Sequence, residues 1–148
     1  MPAFRRLKTL LGLGPRPTTP AGVGEPVNAD PFEDGVAAAN ADDFATALRL
    51  WRPLAEHGLA AAQNNLGELL ETGRGVSREP VQALGWYRKS AESGFAPAQF
   101  NLARLFAFGI GTERDAAAAR EWATRAQGQG IAQAAELLNL IADAEKSR

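Results

Sequence analysis

The fold is decided by residues 58–94, GLAAAQNNLGELLETGRGVSREPVQALGWYRKSAESG, because their pattern returns in the next part of the chain. The repeat distance is 36 residues (94 minus 58, and again 130 minus 94), and several glycines and apolar residues keep it at once. These columns are Gly58/Gly94/Gly130, Gly73/Gly109, Gly75/Gly111, Ala47/Ala83/Ala119, Ala62/Ala98/Ala134, Leu66/Leu102/Leu138 and Trp86/Trp122. A fixed interval of this length is typical of a helical-repeat protein, in which each repeat is one supersecondary unit.

The repeated residues have roles that fit a pair of helices. The glycines of the first column follow helical runs, where glycine supplies the left-handed residue that ends a helix. The closely spaced glycine pairs form the turn inside each helix pair. Small residues let two helix backbones approach, and Trp86 and Trp122 are predicted to fill the core rather than to act as stacking platforms. Neither helix can bury its apolar stripe alone, so the sequence predicts an all-α stack of antiparallel helix pairs, an α/α solenoid.

About seven helices are predicted. The first starts at Asp30, which is followed by Pro31 and Glu33, a combination that caps a helix N-terminus. The second contains Pro53, for which we expect a kink or a split near Arg49 to Arg52. The predicted spans are 31–40, 42–57, 60–72, 80–93, 97–108, 116–129 and 131–146.

The last of these helices is predicted to cap the stack. We expect Leu138 and Ile141 to face the preceding helix pair, with Leu137 and Leu140 turned to another side. That arrangement leaves an apolar edge, which could bind the N-terminal segment, a partner, or a second copy of the chain in a homodimer.

The quoted residues resemble the Sel1-like repeat (SLR) family, whose members are relatives of the tetratricopeptide repeats. The resemblance lies in Ala62-Gln63-Asn64-Asn65-Leu66-Gly67, in the Gly73-Arg74-Gly75-Val76 turn, and in the run from Trp86 to Gly94, each followed by a weaker copy. It implies a right-handed superhelix over the repeat domain, 30–148. Within this domain 60–94 and 96–130 are Sel1-like units, 131–146 is the capping helix, and 30–58 is a tetratricopeptide-like unit with an inner turn four residues shorter.

The resemblance also implies a function, that of a non-catalytic scaffold or adaptor. In such proteins the first helix of each pair lines a concave face that binds a protein or peptide partner. Carried onto this sequence, the groove-facing positions are Asn64, Asn65, Glu68 and Glu71 in one helix and Phe100, Asn101, Arg104 and Phe108 in the next. Asparagine suits a peptide backbone, Arg104 a carboxylate, and a phenylalanine an apolar anchor.

Two alternatives to this binding face stay open. In one, Arg104 merely pairs with Glu68 while Phe100 and Phe108 fill the core. In the other, the chain is a cysteine-free relative of secreted lactam-binding or lactamase-like members of the family.

Residues 1–29 differ from the rest in composition, with prolines and glycines typical of a flexible linker. Within residues 2–13, Phe4, Leu7, Leu10 and Leu11 fall at helical spacing beside basic residues, as in a short basic amphipathic helix. Three interpretations stay open: a disordered tail, a tether to a membrane or partner, and docking on the protein's own repeats. We expect no signal peptide, because Lys8 and two glycines interrupt the apolar run, and no transmembrane helix.

Composition and isolated motifs argue against an enzyme. The net charge of -1 with scattered charges does not suit nucleic acid. The absence of cysteine removes thiolate chemistry and permits a cytoplasmic location, with peripheral contact with the inner membrane as a variant. His57, the one histidine, suits a helix C-terminus, and Asp42 and Asp43 suit a helix cap. The Gly-x-Gly turns lack the strand and the lysine of a phosphate-binding loop, so we expect no cofactor, no metal site and no catalytic residues.

Overall fold

The computed structural model describes residues 30–147, and these form seven α-helices and no strand. In chain order the helices are α1 (Pro31–Asn40), α2 (Phe44–Glu56), α3 (Ala60–Thr72), α4 (Pro80–Glu92), α5 (Ala96–Phe108), α6 (Ala116–Gly128) and α7 (Gln133–Lys146). Each helix packs on its neighbours in the chain, so three helix pairs and α7 stack as an α/α solenoid. The predicted all-α fold is confirmed. The expectations for residues 1–29, including the helix at 2–13, lie outside the described residues.

Local capping explains where the first helices begin. Asp30 accepts a hydrogen bond from the Phe32 amide at 2.9 Å, and Asp43 accepts one from the Thr46 amide at 3.1 Å. Both aspartates thereby satisfy amides that the start of a helix leaves free. The hydrogen bonds with Thr46 also lower the pKa of Asp43. Between α1 and α2 the turn has three residues, 41–43, against seven, 73–79, between α3 and α4, which is the four-residue difference read from the sequence.

Glycines end the helices where the backbone becomes left-handed. Gly73 and Gly109, directly after α3 and α5, have φ angles of 72° and 68°, and Gly58, between α2 and α3, has a φ of 93°. Other residue types adopt this conformation only with strain, so the repeated glycines fix the repeated turns. His57 is the C-cap of α2, and its Nδ1 lies 2.7 Å from the carbonyl oxygen of Pro53. The predicted capping position of His57 is confirmed.

Pro53 does not split its helix, because α2 runs without interruption from Phe44 to Glu56. Of the two alternatives predicted for Pro53, the split is therefore wrong, and the kink stays a prediction. Pro53 lies on the exposed side of α2, as does Arg49 one turn earlier. Water can reach the Arg49 carbonyl, which proline leaves without an amide donor, so the missing hydrogen bond costs little here.

The core is organised by aromatic side chains of second helices that pack on glycines of first helices. A Cβ on Gly35 would lie 2.3 Å from Nε1 of Trp51, and a Cβ on Gly67 would lie 3.0 Å from the ring of Tyr87. Trp51 is almost completely buried and donates a hydrogen bond from Nε1 to the Phe32 carbonyl at 3.2 Å, while Tyr87 is fully buried. A Cβ at Gly35 would therefore clash with Trp51, and a Cβ at Gly67 would press on the Tyr87 ring.

Trp86 and Trp122 are only partly buried, so the prediction that they fill the core is wrong in degree. Lys89 lies 4.5 Å from the Trp86 ring centroid and Arg125 lies 4.7 Å from that of Trp122, and both cations cover the outer faces of the rings. Tyr87, the next residue after Trp86, takes the buried position. Successive helical residues point about 100° apart, and the 36-residue interval does not show which of them faces inward.

The predicted orientation of α7 also needs correction. Ile141 is buried as expected, but Leu137 is buried too, at 4% exposure, whereas Leu138 is only partly covered. Leu137 and Ile141 are one turn apart and share the face that packs on α5 and α6. Leu140 points away from this face and is 52% exposed, so it alone remains of the apolar edge predicted from Leu137 and Leu140.

Candidate interaction surface

The candidate surface is formed by α3 and α5, the first helices of two successive pairs. Hydrogen bonds join these helices directly, from Asn101 to Asn64 and from Arg104 to Glu71. The structure therefore brings these four predicted residues into contact across the repeat boundary. The remaining predicted residues do not join the network through hydrogen bonds that bridge the two helices: Asn65, Glu68, Phe100 and Phe108.

The two asparagines form the amide part of this network. Nδ2 of Asn101 donates to Oδ1 of Asn64 at 3.0 Å, and Nδ2 of Asn64 is directed at Oδ1 of Asn65 at a longer 3.4 Å. Asn64 is buried, whereas Asn65 and Asn101 are partly exposed. Within the described residues, Nδ2 of Asn65 and Oδ1 of Asn101 have no hydrogen-bond partner. The partly exposed surface therefore has one unused donor on α3 and one unused acceptor on α5.

The charged part of the network contains Glu71, Arg104 and Tyr87. The Arg104 guanidinium donates from Nη1 and Nη2 to the two carboxylate oxygens of Glu71, at 2.7 Å and 2.6 Å. The Tyr87 hydroxyl donates to Oε2 of Glu71 at 2.9 Å. The side chain of Glu71 is 12% exposed and that of Arg104 is 29% exposed. This bidentate ion pair therefore couples one helix pair to the next in a place with little solvent.

The network sets the protonation of its members. Burial alone would raise the pKa of Glu71, but hydrogen bonds from Arg104, the charge of Arg104 and the hydroxyl of Tyr87 outweigh it, and the pKa lies below its ordinary value. The hydrogen bonds to Glu71 raise the pKa of Arg104. Burial, followed by the negative charge of Glu71, raises the pKa of Tyr87. At neutral pH the site thus holds one carboxylate, one guanidinium and one neutral phenol.

The observed ion pair corrects the predicted partner of Arg104 and reduces the donors that Arg104 can offer to another protein. Arg104 pairs with Glu71 and not with Glu68, which lies one turn earlier and is exposed. Glu71 engages both terminal nitrogens of the guanidinium, so this pair of Arg104 donors is not available to the carboxylate of a partner. Phe100 is partly buried and packs against the core, whereas Phe108 is 58% exposed, so only one of the two phenylalanines behaves as a core residue.

Two grooves lie on this side of the molecule. The first-unit groove has a volume of about 310 Å³ and is lined by Val36, Ala39, Asn40, Asp42, Phe44, Trp51, Asn65, Glu68, Leu69 and Arg74. Two of the predicted residues, Asn65 and Glu68, therefore line it. Arg74 covers the Phe44 ring at 5.3 Å from its centroid, so one wall of the groove is a cation on an aromatic face.

The C-terminal groove is smaller, about 280 Å³, and more apolar. Its lining residues are Ala107, Phe108, Arg114, Leu137, Leu140, Ile141 and Ala144. Counting 36 residues onward from Glu71, Tyr87 and Arg104 gives small or apolar residues at all three positions: Ala107, Ala123 and Leu140. The polar network of one repeat is thus missing in the next, and Ala107 and Leu140 border the groove there.

Sequence reasoning missed Tyr87 as a determinant of this surface, and it predicted Leu140 only as part of an apolar edge with Leu137. Tyr87 lies on a second helix, and its hydroxyl reaches Glu71 on the first helix of the same pair. A further signal for Leu140 is present in the repeat register, because Arg104 and Leu140 are 36 residues apart and differ in chemistry. Where a repeat position changes from a charged to an apolar residue, the helix pair is kept and the chemistry of its surface changes.

Over residues 30–147, no three histidine, aspartate or glutamate side chains gather in a way that could hold a metal ion. None of the helices formed by these residues has the length and apolar character needed to cross a bilayer.

Comparison with known proteins agrees with the repeat boundaries. The Sel1 repeat profile matches residues 60–95 and 96–131, which contain α3 with α4 and α5 with α6. The chain is 35% identical to a Sel1 repeat protein from Oxalobacter formigenes, with a TM-score of 0.67 over 74% of this chain and 85% of that one. It is 30% identical to a protective antigen of uropathogenic Escherichia coli strains that displays an SLR fold, with a TM-score of 0.73. That match covers 77% of this chain and 25% of the antigen. Comparison with curated proteins gives no match.

The helix pairs, their left-handed glycine turns and the cross-repeat network define a right-handed helical-repeat solenoid of the tetratricopeptide-like class. Within this class, the chain belongs to the Sel1 repeat family. Sel1 repeat proteins are generally non-catalytic protein-interaction scaffolds.

Proposed function

We propose that this chain is a non-catalytic scaffold that holds an extended peptide or protein segment across α3 and α5. The cross-repeat network carries the proposal. It fixes the spacing of two first helices and leaves a donor on Asn65 and an acceptor on Asn101 free toward solvent among the described residues. A peptide backbone carries the matching acceptor and donor on each residue.

The predicted residues then divide into two roles. Glu71 and Arg104 bond to each other, and Asn64 accepts a hydrogen bond from Asn101, so these contacts hold α3 and α5 together. Supporting groups play the same part in rigid binding sites. Asn65, Glu68, Asn101 and Phe108 are at least partly exposed and contact the partner. In this proposal Arg104 acts through its bond to Glu71.

The grooves favour an extended ligand over a small molecule. Each groove is only about 300 Å³, at the lower limit for small-molecule pockets, and each is partly open to solvent. A segment lying along α3 and α5 can use both grooves, with polar contacts at Glu68 and an apolar contact at Phe108. Such a segment buries more surface than either groove offers alone.

A charge reversal on the face tests the proposal. In tagged full-length protein purified from the cells that make it, Glu68→Lys should reduce recovery of the wild-type partner at least about tenfold, as expected for a contact worth about 1.4 kcal/mol. Glu92→Lys is the matched control. Glu92 is also exposed and helical, but it lies on α4, away from both grooves. Both variants should melt within a degree or two of the wild type, since exposed substitutions change stability little.

Three results would separate the possibilities. Loss of the partner with Glu68→Lys and retention with Glu92→Lys supports the α3–α5 face. Equal retention by both variants, combined with retention by Asn101→Ala, contradicts it. Loss with Glu92→Lys alone places the contact on the second helices.

A further inference from the structure

The C-terminal groove has two large apolar side chains at its rim that nothing in the described chain covers. Phe108 is 58% exposed and Leu140 is 52% exposed, and both line the groove. Isolated exposed apolar residues are common, but two that border one apolar depression mark a binding surface. The walls below them are apolar as well, because the repeat register places alanine or leucine where the previous repeat has its ion pair.

The charged residues next to Leu140 on its own stripe of α7 are negative. Glu136 and Asp143 lie one turn before and one turn after it on α7, so all three share one exposed stripe of the helix. Arg114 is the basic residue that lines the groove, and Lys146 lies 3.7 Å from Asp143 in a fully exposed pair. Arg120 and Glu145 nearby are bonded to each other. A ligand with apolar residues on one side and positive charges beside them therefore matches the stripe.

The chain contains one segment with this chemistry outside the described residues. Phe4, Leu7 and Leu11 recur at helical spacing, and Arg5, Arg6 and Lys8 lie between them. An apolar row on a short helix fits an apolar groove by the helix-in-groove mode, and the basic residues can face Glu136 and Asp143.

The intervening chain is long enough for the contact. Residues 14–29 form the connection to Asp30 at the start of α1, and 16 extended residues reach roughly 50 Å. Three steps between neighbouring first helices cover about 30 Å, and one helix length adds about 20 Å at right angles, a diagonal of about 36 Å. Attachment by such a connection gives an effective concentration on the order of millimolar, so a weak contact suffices.

We propose that residues 2–13 dock in the C-terminal groove of the same chain, with Phe4, Leu7 and Leu11 on Phe108 and Leu140 and the basic residues beside Glu136 and Asp143. The docked segment covers Phe108 and so competes with a partner for that end of the α3–α5 face. Both contact surfaces belong to this chain, so the docking itself stands or falls independently of the proposed function, whereas the competition rests on that function.

Paramagnetic relaxation in the full-length protein tests the docking. The chain has no cysteine, so Thr9→Cys introduces one labelling site, on the side of the predicted helix opposite Leu7. A nitroxide there should broaden the amide signals of Phe108, Leu140 and Ala144 and leave those of α1 and α2 sharp. The broadening should persist on dilution. It should be absent when nitroxide-labelled chain at natural isotope abundance is mixed with unlabelled, isotope-enriched chain.

Leu140→Asp should remove the broadening, because it places a charge in the apolar contact. Val81→Asp is the matched control, since Val81 is 67% exposed on α4 and lies outside the groove; it should leave the broadening intact. Absence of broadening at the groove in the labelled Thr9→Cys protein, with no other substitution, overturns the proposal. Broadening that also appears in the mixed sample and is lost on dilution overturns it, in favour of a second copy. Binding of the labelled segment to anionic phospholipid vesicles with no broadening of the groove overturns it in favour of a membrane tether.

Discussion

The Glu71–Arg104 ion pair should stabilise the fold in a pH-dependent way, and Glu71→Gln tests this. Glutamine has nearly the same shape as glutamate but no charge, so the substitution removes the ion pair without opening a cavity. The amide can accept one hydrogen bond from Arg104, but its NH₂ group faces donors of Arg104 and Tyr87. The guanidinium therefore keeps its partial burial and loses its counter-charge.

The expected cost follows from the geometry. Hydrogen bonds to charged groups contribute about 1.5–3 kcal/mol, and removing one partner of a fully buried ion pair costs about 3–5 kcal/mol. Arg104 is still 29% exposed, so solvent screening brings the expected loss to about 2 kcal/mol. For a chain of 148 residues this lowers the melting temperature by roughly 6–8 °C at pH 7.

The pKa of Glu71 determines how the loss of stability in Glu71→Gln varies with pH. The pKa of Glu71 is lower in the folded protein than its ordinary value of 4.5, so the ionised form favours folding. The contribution is complete above pH 4.5 and is lost as the pH falls through the lower, folded-state pKa. The difference in melting temperature between wild type and Glu71→Gln should therefore be constant near neutral pH. Below pH 4.5 it should shrink, because protonated Glu71 and glutamine are both uncharged.

Thermal unfolding followed by circular dichroism over a pH series measures this difference. Glu68→Gln is the control on the same helix, and it should change the melting temperature little because Glu68 is exposed and makes no ion pair in the described structure. Equal melting temperatures for the two variants at pH 7 would refute the energetic role of the pair. A difference that stays the same at pH 3 would show that the shape of glutamine, and not the loss of charge, is responsible.

Three further substitutions have expected outcomes that thermal and urea unfolding can check. Gly85→Ala should stabilise the protein by about 1 kcal/mol, because an added Cβ meets nothing within 4 Å and glycine is unfavourable inside a helix; destabilisation would contradict the open space. Ser93→Gln should stabilise by about 1 kcal/mol, because it can supply a donor that one repeat lacks. In the next repeat Gln129, the counterpart of Ser93, donates to Oε1 of Gln99, the counterpart of Gln63, whereas Oε1 of Gln63 is buried without a partner in the described structure. No gain in stability would mean that the new side chain does not reach Gln63. Trp86→Ala should cost about 1–2 kcal/mol, less than the 3–5 expected for a fully buried tryptophan, and a larger loss would place the ring in the core.

The backbone of this protein could be predicted in detail from the sequence, because local residues determine it. The boundaries of α3 follow from Gly58 before it and Gly73 after it, both with positive φ, and the predicted span 60–72 equals the observed one. The start of α1 follows in the same way from Asp30 and Pro31. The beginning of α7 was placed two residues early, at Ile131, since no capping side chain marks it.

The contacts between helices were harder to predict, because they depend on which side of a helix each residue occupies. The 36-residue interval drew attention to Trp86, whereas its neighbour Tyr87 is the residue that packs on Gly67. The interval also could not decide between Glu68 and Glu71 as the partner of Arg104, as both lie on the same helix one turn apart. Such choices depend on the axial offset between neighbouring helices, which spacing within one sequence does not contain.

The candidate surface differs from the scaffold in how it uses the repeat. Glycines and alanines recur at the interval because the same backbone turns and close helix contacts must form in every unit. Side chains that face outward from the first helices have no such requirement, and position 104 of one repeat returns as Leu140 in the next. A ligand that crosses both repeats therefore meets a buried ion pair with polar groups beside it and then an apolar groove. Because the order of these two surfaces is fixed by the chain, the proposed function implies that the scaffold selects a partner by the order of polar and apolar residues along it.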